Sequence, residues 1–161
     1  MINLPSVVVS VTDKNESDLC NWGWRLAAEQ PGTAVRFVRG NKMRRVDPLF
    51  DELSAAFQFP HYFGENWAAL ADCLGDLEWL GAPHVVLIIS RFPEVLVEEP
   101  IEMPAFGRAV RGAMERFNEL RNKSEPSVDL FRIVLDCKVI DDPVLKQFLG
   151  EVAPAQMVGR I

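Results

Sequence analysis

Asp72 and Asp76 stand one helical turn apart in the stretch FPHYFGENWAALADCLGD, and His61 and Glu65 sit in the loop just before them. Carboxylates and an imidazole at this density raise the question of metal binding or proton transfer. The spacing answers against both. His61 and His84 form no HxxxH or HxxE pair with a matching carboxylate, and two aspartates are fewer ligands than calcium takes. No GxSxG elbow, P-loop or dinucleotide-binding glycine pattern occurs anywhere in the chain. No cofactor is implied, and a large melting shift with magnesium or zinc would be needed to revive an enzyme.

A different chemistry fits the same residues. With Asn66 as N-cap, Trp67, Leu70, Ala71 and Leu74 form one apolar stripe at helical spacing. At about 100° per residue, Asp72 points roughly 140° away from Trp67, among Ala68, Ala69, Gly75 and Asp76. An ordinary exposed helix face carries lysine, arginine and glutamate, which add propensity and i,i+4 pairs. Here one carboxylate stands among small residues, so another surface can close over it with little side-chain entropy lost. The preceding loop adds Tyr62, an amphipathic anchor, and Gly64, expected at a positive φ. The plainer alternative is that Asp72 and Asp76 only solubilise the helix while Tyr62 is tucked into the core.

The elements that must hold this segment follow from apolar patterning. TAVRFV (33–38), HVVLIIS (84–90) and LFRIVLD (130–136) predict buried strands, with SVVVSVT (6–12) as a fourth. Helices are expected from an Asp47 N-cap with Pro48 at the first position, from Asn66, over MPAFGRAVRGAMERFNELRNK, over ESDLCNWGWRLAAEQ and over DDPVLKQFLGEV. RFPEVLVEEPIEMP (91–104) predicts a linker or irregular crossover, and NKSEPS (122–127) a turn. The fold class is therefore α/β, a small and largely parallel sheet packed by helices. The expected organisation is an N-terminal extension (1–32) packed on the core, a central domain (33–137) and a C-terminal helix and tail (138–161). Trp22 and Trp24 are expected to fill the core, the alternative being self-association or a reshaped face.

Charge narrows the partners. Of a net charge of −6, residues 46–107 carry 11 acids and one base, net −10, and the remainder is net +4. An acidic middle suits a cationic partner and repels the phosphates of nucleic acid. No apolar run approaches the roughly 20 residues of a membrane span. The start has neither a basic n-region nor a cleavage site, and Cys20, Cys73 and Cys137 are widely spaced, so a cytoplasmic protein with reduced thiols is expected.

Within this frame, FPHYFGENWAALADCLGDLEWL resembles the barstar family of intracellular inhibitors of barnase-type ribonucleases. Pro60, Tyr62, Phe63, Gly64, Asn66, Ala69, Leu70, Asp72, Cys73 and Leu74 match that family's loop and helix, and the order of elements matches over roughly 33–137. The resemblance implies that Asp72 enters a ribonuclease active site in place of a substrate phosphate. It further implies that Tyr62 stacks on the catalytic histidine, that Asn66 holds the binding segment, and that Glu119 is a peripheral acidic contact. Two positions depart from the family: Ala68 replaces a second aspartate and Ala71 a tryptophan. GDLEWLGAP replaces a shorter connection, so Trp79 has no assigned counterpart. The implied partner is a basic ribonuclease, with an immunity role against another toxin nuclease, or a non-inhibitory interaction module, as the alternative.

Overall fold

The computed structural model describes residues 7–123, 128–152 and 159–160. Among these residues five parallel strands lie in the order β2-β3-β4-β1-β5, with β1 at Val7–Thr12, β2 at Thr33–Arg39, β3 at His84–Ser90, β4 at Leu130–Asp136 and β5 at Gly159–Arg160. Parallel neighbours need a crossover between them. The helices supply it: α1 (Glu16–Glu29), α2 (Val46–Phe57), α3 (Trp67–Asp76), α4 (Met103–Lys123) and α5 (Pro143–Val152). The expected turn at 122–127 falls largely on 124–127, outside the described residues.

Covering both faces explains why β3 and β4 are nearly continuous apolar runs. Val85, Leu87 and Ile89 of β3, Phe131, Ile133 and Leu135 of β4, and Val7, Val9 and Val11 of β1 face a large core filled from α2 to α5. Val86, Ile88 and Val134 point the other way, to Leu19, Trp22 and Leu26 of α1. The flanking segments share this fabric. β1 pairs along its length with β4, and Leu145, Phe148 and Val152 of α5 are buried in the larger core.

Two local expectations are corrected. α2 begins at Val46 rather than after an Asp47 cap, and Arg45, at the cap position, makes no side-chain cap. Glu99 replaces it: its Oε2 accepts from the Val46 N–H at 2.7 Å. Residues 91–104 deliver that carboxylate as the irregular crossover expected of them, with short 3-10 turns at Phe92–Glu94 and Pro100–Glu102. Phe92, Val95 and Leu96 are fully buried, and the Leu96 N–H donates to the Met43 carbonyl at 2.8 Å. Nor do both α1 tryptophans fill the core. Gly23 faces the sheet, where a Cβ would lie 3.1 Å from Ile88 Cδ1 and Val35 Cγ1. Helical rotation past that point leaves Trp22 half-buried and turns Trp24 outward, 72% exposed.

Candidate functional site

α3 is fixed at its start by its own sequence. Asn66 adopts an extended conformation and its Oδ1 accepts from the Ala69 N–H at 2.9 Å, satisfying one of the helix's orphan donors. Its Nδ2 donates to the Gly64 carbonyl at 3.1 Å, so one side chain ties loop to helix. The expected positive φ at Gly64 is corrected: Glu65 adopts it, at 48°. Gly64 is instead needed for space, since a Cβ there would lie 3.0 Å from Asn66 Nδ2. The predicted stripe faces inward. Leu70 and Leu74 are buried, the Trp67 ring meets Phe50 edge-on at 4.9 Å, and Trp67 Nε1–H donates to Glu102 at 3.1 Å.

The loop is rigid from beneath and open above. Phe63 is half-buried, its ring 4.9 Å from that of Phe59 and 5.8 Å from that of Phe50. Its N–H closes a turn on the Pro60 carbonyl at 2.9 Å. Tyr62 projects outward, 70% exposed, which removes the alternative of a core tyrosine.

On the outer face of α3, Ala68 and Asp72 are exposed while Ala69 and Asp76 are half-buried. Gly75 does not belong to that face. It is buried in the seam with α4, where a Cβ would come within 2.9 Å of Arg116 Cβ and Cδ and 3.0 Å of the Ala113 carbonyl. Ala71 likewise faces Gly112 across the seam. The contacts Trp67–Phe106, Ala71–Gly112 and Gly75–Arg116 advance together along both helices, so α3 and α4 run parallel. Glu119 is exposed, one turn past Arg116 and towards the Asp76 end of α3.

The seam also changes the setting of Asp72. Arg116 Nη1 lies 3.7 Å from Asp72 Oδ1, with the two side chains 43% and 70% exposed. The carboxylate therefore does have a long charged neighbour, supplied by another helix. Sequence patterning misses Arg116 because nothing local to α3 announces it. The signal for the close helix pair was the two small patches, Ala71/Gly75 and Gly112/Ala113.

The acidity of residues 46–107 is redistributed in the same way. Glu52 pairs with Arg39 at 3.0 Å, Glu94 and Glu98 with Arg44 at 3.3 and 2.7 Å, and Glu99 with Arg45 at 3.5 Å. Those arginines lie just before the counted segment, so much of its charge is neutralised away from α3. Glu65, Asp76 and Glu78 remain with Asp72 on α3 and at its ends, with no ion pair among the described residues. Cys73 sits behind this face with its thiol pushed up, by burial first and then by Asp72 and Asp76, while Arg116 opposes. Among the described residues no three His, Cys, Asp or Glu side chains gather as metal donors, and no helix is long and apolar enough to cross a membrane.

Comparison with known families finds one model, described as Barstar (barnase inhibitor), matching residues 33–131, from the start of β2 into β4. No curated protein matches the chain significantly.

Proposed function

The chain belongs to the barstar family, and on that premise we propose that it blocks a basic, metal-independent ribonuclease or related toxin nuclease in the cytoplasm. Asp72 would take the place of a substrate phosphate in the enzyme's active site. The observation that carries this reading is the Asp72 carboxylate itself: 70% exposed on a helix whose start is capped, with Ala68 one turn before it and Arg116 of α4 at 3.7 Å.

The chemistry follows from that geometry. A nuclease that cleaves RNA without metal holds the phosphate with arginine, lysine or histidine. A carboxylate presented on a rigid helix can accept paired, charge-assisted hydrogen bonds from such groups. Tyr62, held out by a loop anchored through Phe63 and Gly64, offers a large face at low entropic cost for stacking. Asn66 keeps loop and helix in one register, and Ala68 and Ala69 let the partner approach. Glu65, Asp76 and the more distant Glu119 add negative potential that speeds encounter with a basic enzyme.

One feature favours a nuclease other than barnase as the cognate partner. Ala68 stands where the family resemblance places a second aspartate, so α3 offers fewer carboxylates to a strongly cationic cleft. Calorimetric titration against a barnase-type ribonuclease, at low and moderate salt, tests the reading. Tight, salt-sensitive binding and inhibition of RNA cleavage are expected. Asp72→Ala should weaken binding by about 30-fold or more, the equivalent of losing hydrogen bonds to a charged group. Binding unaffected by that substitution would remove Asp72 from the centre of the site.

A further inference from the structure

The Asp72–Arg116 pair restricts what the partner can be, and this inference rests on the inhibitor reading above. Gly75 is the reason Arg116 is where it is. Without a Cβ at 75, the Arg116 stem lies flat against α3, its Cβ and Cδ in space a Cβ would come within 2.9 Å of. From there the guanidinium reaches back along α3 to Asp72, 3.7 Å away. So exposed a pair adds little to stability. Its importance is positional.

A separation of 3.7 Å leaves no room for a water layer between the two charges. A surface that seats on Asp72 therefore meets the Arg116 guanidinium at its edge. A purely cationic site would compete with Arg116 for the aspartate and repel the guanidinium beside it. A site offering a carboxylate next to its cations would satisfy both groups, since a guanidinium donates to a carboxylate in a planar fork.

We propose that Arg116 is a specificity-determining residue of the interface, and that the partner nuclease presents a carboxylate beside the cations that bind Asp72. The face then reads an ordered pair of opposite charges rather than positive charge alone. This adds a residue from α4 to a site otherwise built from α3 and its loop. It also supplies selection against nucleases whose phosphate site is cationic throughout.

The test uses the full chain, a barnase-type ribonuclease as probe, and the variants Arg116→Met, Arg116→Lys and Asp72→Ala. Arg116→Met is expected to weaken binding about tenfold or more, with an unchanged urea midpoint, and Arg116→Lys to recover part of that loss. Equal or tighter binding by Arg116→Met, with Asp72→Ala still defective, overturns the inference and leaves the inhibitor reading standing. Binding by Arg116→Met but not by the unmodified protein supports it, because Arg116 then selects against this enzyme. Failure of both proteins to bind counts against both readings for this enzyme class.

Discussion

The seam between α3 and α4 contains two glycines whose replacement by alanine should have opposite effects. At Gly75 a new Cβ would meet Arg116 Cβ and Cδ at 2.9 Å and the Ala113 carbonyl at 3.0 Å. The Arg116 Cδ could swing aside, but its Cβ and the carbonyl are fixed to the α4 backbone, so the helices must separate. Overpacking of this kind costs about 1–3 kcal/mol. Alanine's better helix propensity returns at most about 1 kcal/mol, less near the helix end where Gly75 lies. A net loss of roughly 1–2 kcal/mol is expected. At Gly112 the nearest atom to a new Cβ is Ala71 Cβ at 3.5 Å, an ordinary contact, so Gly112→Ala should gain up to about 1 kcal/mol. Urea unfolding of both variants, analysed for midpoint at constant slope, measures the gap. Equal shifts, or stabilisation by Gly75→Ala, would refute the claim that α3 and α4 meet backbone to side chain at this point.

Two further expectations concern groups outside that seam. Glu99→Ala should lower stability by about 1 kcal/mol, because it removes the acceptor of the Val46 N–H at the start of α2; Glu99→Gln keeps an oxygen there and should lose less in the same urea assay. Cys20, Cys73 and Cys137 all have thiols raised above the ordinary value of 9.0, chiefly by burial. A raised value means less thiolate at any pH below it, so alkylation of the native protein should be slow near neutrality and still climbing above pH 9.0. Cys20, the half-exposed one, should react first; rapid, uniform labelling of all three near pH 7 would contradict the burial argument.

Much of this was legible in the chain, and the boundary has a physical cause. β3 and β4 begin and end where their apolar runs do, and β2 is longer by one residue, because a buried parallel strand is written in contiguous residues. The Asn66 cap and the Trp67–Leu74 stripe were legible for the same reason: both operate within one helix. Leu120 shows the limit of periodicity, since it continues the α4 pattern and yet is 38% exposed. What escaped was delivered from a distance. Glu99 caps a helix more than 50 residues before it, and Arg116 reaches Asp72 from another helix. The positive φ fell to Glu65 rather than Gly64, which residue type does not announce, since glycine takes that region at least cost. The face around Asp72 could be located from sequence, whereas its electrostatic partner could not.

The placement of β1 bears on how the protein is made. Val7 is aligned with Phe131 and Thr12 with Asp136, while among the described residues β5 meets β1 at Ser10 and Val11. β1 thus finds its full-length neighbour more than 120 residues later in the sequence. Long-range parallel pairing of this kind is slow to form. On the ribosome, β2, β3 and the helices over them can assemble while β1 waits for β4. Until then a valine-rich, β-prone segment is carried unpaired, flanked by the exposed charges Asp13 and Lys14, the kind of residue that disfavours aggregation of such a segment.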